Sequence, residues 1–287
     1  MKEIKQIIYN PESLADLHQI IAATNDKLTY VAGSTDLMVQ ENRWREAQNL
    51  VNLNNIKEIR TTFEIQKEGV LIGAAMPMSE ILAKSVIREK FPILVEACRQ
   101  IGSVQIQNRA TLGGNIANAS PAGDSLPVLS VLDAEILIGA GDDGNLQKMQ
   151  VEDVMLGPGQ NSLTGNKYIA YFFLPFPKPG EQFWAFRKVG QRYALAISKL
   201  SLAMLGSRSG DRIEDIRICA GSVSAQIKRA VRTEKILLGQ KLSETVIEVA
   251  RQTIMKEVSP ITDIRSTSGY RRKICGELLR EELYHLL

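Results

Sequence analysis

Between Thr111 and Asp124 the chain reads Thr-Leu-Gly-Gly-Asn-Ile-Ala-Asn-Ala-Ser-Pro-Ala-Gly-Asp, a stretch with almost no bulk. It holds three glycines, four small hydroxyl or amide side chains and one carboxylate, and no Lys or Arg occurs between Ala110 and Gln147. Gly113 and Gly114 lack a Cβ and can take positive φ, so another group can approach this backbone closely. Successive N–H groups of such a turn converge into a nest that holds an anion without a cationic side chain. Thr111, Asn115, Asn118 and Ser120 add neutral hydrogen-bonding groups, and Asp124 offers acceptors suited to a sugar hydroxyl. The combination suits a nucleotide gripped at its phosphates by backbone and read at its ribose by a carboxylate. A tight surface turn is the plainer alternative for Gly113-Gly114-Asn115, as is an N-cap for Asp124 ahead of Ser125-Leu126-Pro127.

A second stretch favours the nucleotide. Leu28-Thr29-Tyr30-Val31 reads as a short buried strand, Ala32-Gly33-Ser34-Thr35-Asp36 follows at once, and Leu37-Met38-Val39 opens a helix. Strand, small-residue turn and helix N-terminus together present free N–H groups and a positive dipole end to a phosphate. Neither loop carries a dinucleotide-binding Gly-x-Gly-x-x-Gly, and no Walker-type loop occurs. Two separate loops of this kind fit a diphosphate pinched between two segments.

The pair, together with Ala119-Ser-Pro-Ala-Gly-Asp124, resembles the two flavin-binding signatures of the FAD-binding (medium) subunits of molybdenum hydroxylases. These include the xanthine, carbon monoxide and nicotinate dehydrogenase types. The likeness extends over nearly the whole chain, including Ser259-Pro-Ile-Thr-Asp-Ile-Arg265 and Tyr270-Arg-Arg272. One departure is Gly33-Ser34, where relatives often carry Gly-Gly or Gly-Asn.

The resemblance implies FAD as cofactor. Backbone groups of Gly33, Ser34 and Thr35, with Gly114 and Asn115, would hold its diphosphate, and Asp124 would bond its sugar or ribityl hydroxyls. Ile101 would pack on the isoalloxazine, and Lys188 or its neighbour Arg187 would lie close to the flavin. Val31, Ala32, Asp36, Leu37, Thr111, Leu112, Gly113 and Ile169 complete the cofactor-binding positions that it implies. No catalytic side chain and no metal ligand is expected. The implied partners are an iron–sulfur (2Fe-2S) subunit and a molybdopterin-binding subunit, with NAD or another electron acceptor. FAD would take electrons from the iron–sulfur partner and pass them to that acceptor.

Composition agrees with a cofactor doing the chemistry. The chain has 287 residues, 44% hydrophobic and 23% charged, as in an ordinary globular protein. Its formal net charge of +3 comes from 35 basic and 32 acidic residues spread along the sequence, which argues against a nucleic-acid surface. No apolar run approaches membrane-spanning length, and Met1-Lys-Glu-Ile-Lys-Gln has no signal-peptide core, so a cytoplasmic location is the default. Cys98, Cys219 and Cys275 are isolated from one another, which argues against an iron–sulfur cluster or structural zinc in this chain. His18 and His285 are the only histidines, too few for His-based acid–base machinery.

The elements that must position the two loops follow from the pattern. Asn10-Pro11 opens a first helix lined by Leu14, Leu17 and Ile21. Leu50 to Leu53 gives another strand. Ile59 to Gln66 and Val70 to Ala74 read as a hairpin, Pro77-Met78-Ser79 starts a helix through Leu82, and Pro92 starts one that stops at Gly102. Leu126 to Leu132 is a buried helix or strand. Glu135 to Gly139 and Leu146 to Val151 form a hairpin around Gly141-Asp-Asp-Gly144, and Lys167 to Leu174 is an apolar strand. Pro175, Pro177, Pro179 and Gly180 mark a domain boundary. Phe183 to Val189, Lys199 to Leu205 and Ile213 to Cys219 are strands, with a polar turn at Gly206 to Asp211. Helices follow near Arg229 to Leu238, Ser243 to Val258 and from Ser268.

The expected fold is α+β. It comprises an FAD-binding domain of vanillyl-alcohol-oxidase-like (PCMH) type over 1–176, with subdomains of about 1–55 and 56–176. A C-terminal α+β domain over 181–287 would carry a three-stranded antiparallel sheet and helices. Two other functions compete with the electron-transfer subunit. One is a stand-alone flavin oxidoreductase using Lys188 or Tyr193 as acid or base. The other is a cofactor-free nucleotide-binding or scaffolding subunit, which would lack flavin colour.

Overall fold

The computed structural model describes residues 6–24, 26–140, 145–178, 180–192 and 194–287. Met1 to Lys5, the turn at Gly141 to Gly144, Pro179 of the proline cluster and Tyr193 therefore lie outside the described residues. Gly139-Ala-Gly141-Asp-Asp-Gly144 does spell Gly-x-Gly-x-x-Gly, but it joins two antiparallel strands. The fingerprint works at a strand-to-helix junction, so it carries no nucleotide meaning here.

The chain opens with β1 (Ile7–Tyr9), α1 (Leu14–Ala23), β2 (Leu28–Val31), α2 (Glu41–Glu46) and β3 (Asn49–Asn52). The three strands form a parallel sheet in the order β1-β3-β2. The first helix begins at Leu14 and not at Pro11. Ser13 and Asp16 form a reciprocal capping box, which outcompetes the Asn10-Pro11 start by satisfying two N-terminal donors at once. Leu37–Val39 is a single 3-10 turn rather than the opening of an α-helix.

The next part is built on a five-stranded antiparallel sheet, flanked by short helices. Here α3 (Lys57–Thr61) takes up Ile59, so the expected hairpin is shorter: β4 (Phe63–Ile65) and β5 (Gly69–Gly73). The helices α4 (Met78–Leu82), α5 (Ser85–Lys90), α6 (Pro92–Arg99), α7 (Val104–Gln107), α8 (Leu112–Ala117) and α9 (Ser125–Val131) follow. Leu126 to Val131 are thus helical, with Leu132 as the C-cap, and every residue of α9 is buried. Then come β6 (Glu135–Gly139), β7 (Leu146–Gln150), α10 (Val151–Val154), the small pair β8 (Met155–Gly157) and β9 (Gln160–Asn161), and β10 (Tyr168–Pro175). The sheet order is β4-β5-β10-β6-β7. β10 lies at its centre, and Phe172 and Leu174 are fully buried.

The remainder forms β11 (Glu181–Val189), β12 (Leu200–Ser209), β13 (Arg212–Gly221), β14 (Lys228–Arg229), α11 (Val231–Leu237), α12 (Glu244–Glu257) and α13 (Ser268–Tyr284). The sheet has four strands in the order β11-β12-β13-β14, not three. β14 is two residues long and follows a bend rich in serine, which left no alternating pattern to read. β12 also runs on to Ser209, so the polar turn is confined to Gly210-Asp211.

β12 is buried along its first eight residues because both faces of this sheet are covered. Leu202, Met204, Ile218 and Ala220 join a core with Ile247, Ile254, Cys275 and Leu279 of α12 and α13. On the other face Phe186, Ala203, Leu205 and Cys219 join the core of the preceding part, with Leu94, Cys98, Leu126 and Leu129. The proline cluster therefore separates two stretches of sequence whose side chains interlock. All three cysteines are buried, and burial pushes each thiol up to about 12.

Candidate functional site

The first small-residue loop leaves β2 at Val31 and turns at Ser34, whose φ is +61°. Asn54 donates to the Ala32 carbonyl at 2.6 Å and so fixes the start of the turn. The chain then enters right-handed backbone at Asp36 and the 3-10 turn. A left-handed residue followed by right-handed ones points successive N–H groups to one side, the geometry of an anion nest. Among the described residues, the N–H groups of Ser34, Thr35, Asp36 and Leu37 find no acceptor in the chain.

The second loop is different from its expectation. Gly113 and Gly114 have ordinary negative φ and lie inside α8, which Thr111 caps. Thr111 Oγ1 accepts the Gly114 N–H at 2.9 Å, and the Gly113 N–H donates to the Ala74 carbonyl at 3.2 Å. The glycine pair thus forms no nest, because its donors are already taken. Gly113 is glycine for packing, since a Cβ there would lie 2.6 Å from the Ala74 oxygen. Gly114 is exposed, and a Cβ would meet only Thr111 Oγ1, at 3.0 Å. Asn115 accepts from Ser125 Oγ at 2.6 Å, and Leu112 is buried in the core.

The two loops touch. A Cβ on Gly33 would come within 2.1 Å of the Arg109 carbonyl oxygen and 2.9 Å of Ala110 Cα. The first loop therefore rests on the backbone that leads into Thr111. Arg43 of α2 adds a hydrogen bond to Asn118 at 3.2 Å.

A buried charged pair lies one layer deeper. Asp124, 5% exposed, occupies the N-cap position of α9 but makes no capping bond. Its Oδ2 instead meets Lys188 Nζ at 2.7 Å, and its Oδ1 accepts from Ser198 Oγ at 2.5 Å. Lys188 also donates to the Gln100 carbonyl at 2.8 Å, next to Ile101. Strand alternation decides between the two basic neighbours. Lys188 shares a face with Phe186 and points at α9, whereas Arg187 points the other way and pairs with Glu281 and Glu282 of α13. Burial holds the Asp124 carboxyl above the usual carboxylate range, against the opposing pull of the Lys188 charge and the hydrogen bonds from Lys188 and Ser198. Ile169 is buried in the core at 5% exposure, beside a bulge between Ile169 and Tyr171 of β10. It shares that core with Ala110, Leu112 and Ile116 of the second loop and its helix.

Of the sequence-derived positions, Val31 to Leu37 and Thr111 to Asn115 come together, and Asp124, Lys188 and Ile101 form a second group. Ser198, Gln100 and Asn54 were missed; two of them act through bonds to residues far off in sequence, and no local pattern marks such partners. Among the described residues no group of three or more His, Cys, Asp or Glu could hold a metal. No helix among them is long and apolar enough to cross a membrane.

Residues 2–177 match the family model described as the FAD binding domain in molybdopterin dehydrogenase. Residues 184–286 match the CO dehydrogenase flavoprotein C-terminal domain. The chain is a member of this flavoprotein family. The flavoprotein is 26% identical over 266 residues to the glyceraldehyde dehydrogenase medium chain of Sulfolobus acidocaldarius, covering 92% of each. It is 26% identical to the nicotine 6-hydroxylase medium subunit of Paenarthrobacter nicotinovorans, covering 96% of this chain and 94% of that one. Its fold superimposes on a chain of carbon monoxide dehydrogenase from Hydrogenophaga pseudoflava with a TM-score of 0.91 at 21% identity, covering 99% and 98% of the two chains. As a member, the flavoprotein is an FAD-binding subunit of an oxidoreductase.

Proposed function

We propose that this flavoprotein is the electron-transfer subunit of a molybdopterin and iron–sulfur hydroxylase, with FAD held between Val31–Leu37 and Thr111–Asn115. The observation that carries the placement is the run of free N–H groups at Ser34, Thr35, Asp36 and Leu37, which suits a diphosphate. Gly114 supports it from the second loop. A Cβ there would crowd only the Thr111 hydroxyl, at 3.0 Å, and the exposed side of Gly114 leaves room for close approach of a ligand. The fit to FAD is therefore better than the glycine pair alone implies, with the grip moved to the first loop. Ile101 would lie against the ring system, beside Lys188 and Asp124. Bound there, FAD would supply the redox chemistry, taking electrons from a 2Fe-2S partner subunit and delivering them to NAD or another acceptor.

The relatives' names, medium chain and medium subunit, support a role within a multi-chain assembly. Substrate oxidation would then belong to a molybdopterin-binding partner, in the cytoplasm. Lys188 is engaged by the Asp124 carboxylate and the Gln100 carbonyl, and its pairing with a buried carboxylate disfavours it as the acid or base of a stand-alone flavin enzyme. The test is the purified chain on its own. It should release FAD on heat denaturation and show at most slow NADH-dependent dye reduction. Hydroxylation of a heterocycle by the isolated, metal-free polypeptide would overturn the subunit reading.

Gly114→Val tests the second loop. A branched side chain on this exposed position should weaken FAD binding roughly 10–100-fold, on the scale of 1.4 kcal/mol per tenfold. The circular dichroism spectrum should not change, because the backbone there is helical and exposed. A folded Gly114→Val protein with its full complement of FAD would show that the second loop is only a turn.

A further inference from the structure

Arg271 lies in the first turn of α13 with 3% of its surface exposed. A buried guanidinium needs partners in more than one direction. One arm meets Asp263 at 2.5 Å, on the turn that precedes the helix. The other donates to the Ser222 carbonyl at 2.9 Å. The first contact is enough to set the entry of α13; the second leads toward the Asp124 pair.

Ser222 is held in the left-handed region at φ +60°. Its N–H donates to the Pro121 carbonyl at 2.8 Å, and its hydroxyl donates to the Ser198 carbonyl at 3.1 Å. Ser198 in turn donates to Asp124, which holds Lys188. The surroundings are tight, since a Cβ on Gly221 would come within 2.6 Å of Ser201 Oγ, 3.1 Å of Pro127 Cγ and 3.4 Å of the Pro121 carbonyl oxygen. Ser198, Ser222 and Asp124 are all buried, and hydrogen bonds in such surroundings couple strongly.

We propose that Arg271 is a positioning residue that acts through Ser222 and Ser198 to hold the Asp124–Lys188 pair beside the bound flavin. The inference rests on the placement of FAD proposed above. Charge near the ring sets a flavin's potential, so a shifted pair would register there.

The experiment measures the midpoint potential of bound FAD and the melting temperature in full-length Lys188→Met, Ser198→Ala, Arg271→Met and Arg271→Lys proteins, and in the Arg271→Met/Ser198→Ala double variant. Arg271→Lys keeps a buried charge near Asp263 but not the two-armed grip, so it guards against loss of folding in Arg271→Met. Lys188→Met should lower the potential, because a nearby cation favours the reduced flavin. Both Arg271 variants should shift the potential in the direction of Ser198→Ala, and the double variant should move it no further than Ser198→Ala alone. Lower melting temperatures with an unmoved potential, or shifts that add in the double variant, would overturn the inference while the FAD placement stands. An unmoved potential in Lys188→Met would overturn both.

Discussion

Ser34→Pro should strip the protein of FAD and leave it folded. Ser34 sits at φ +61°, and proline fixes φ near −65°, so the turn that aims the N–H groups of Thr35, Asp36 and Leu37 cannot form. The substitution also removes the Ser34 donor. Loss of two or three charge-assisted hydrogen bonds, each about 1.5–3 kcal/mol, corresponds to roughly 10²-fold or more in affinity. The loop contributes little apolar burial, so the melting temperature of the apo-protein should fall only slightly. Ser34→Gly is the matched control: it relieves about 1 kcal/mol of left-handed strain and should keep the cofactor. The measurement is the flavin-to-protein absorbance ratio beside the circular dichroism spectrum. A folded Ser34→Pro protein that retains stoichiometric FAD would place the grip elsewhere.

Lys188→Met should cost about 3–5 kcal/mol at neutral pH, because it leaves the Asp124 carboxylate buried without its counter-charge. Both side chains are nearly inaccessible, at 8% and 6% exposure. The loss should depend on pH in a definite sense. Burial already raises the Asp124 pKa, and Lys188 opposes that rise, so removing Lys188 lifts it further. A carboxyl that binds its proton more tightly folded than unfolded contributes stability below its unfolded pKa and loses it as pH climbs through the folded one. The deficit of Lys188→Met should therefore be smallest in acid and grow toward neutral pH. Urea unfolding at pH 5 and pH 7.5 reads this directly, and adding Asp124→Asn should recover much of the neutral-pH loss. A deficit that is the same at both pH values would mean that Asp124 is not the group left exposed to the penalty.

Much of the fold could be read from the chain because its signals are local. Proline and glycine punctuation located α4 and α6, apolar runs located β10 to β13, and the short helices α2, α3, α5, α7, α8 and α10 left no such mark. The central loop was harder. Gly113-Gly114 carries a nest's composition, but Thr111 and the Ala74 carbonyl take up its N–H groups, and Ala74 lies 39 positions before Gly113. Ser34 supplies the left-handed turn although serine pays a steric penalty that glycine avoids. The residue that departs from the usual Gly-Gly or Gly-Asn is thus the one that shapes the first loop. Asp124 was noticed as a carboxylate in a small-residue loop, yet its partners lie 64 and 74 residues further on. Ser198 and Gln100 are of types that occur everywhere, and only the folded chain gives them meaning. Asp263 and Arg271 stood out in the sequence, but the bond from Arg271 to Ser222 spans 49 residues and has no sequence mark.

The sheet of β11 to β14 is covered on one face by its own helices and on the other by α6 and α9 of the preceding part. Exchange of modules between relatives is constrained as a result. A chimera cut at the proline cluster would graft a foreign surface onto Leu94, Cys98 and Leu129, and the donor's counterparts of Phe186, Ala203, Leu205 and Cys219 would have to mesh with them. The same graft would bring its own lysine and serine to Asp124. Residues on the two sides of the boundary must therefore change in concert, and a swap that respects the seam in sequence but ignores the shared packing would disturb the charged pair first.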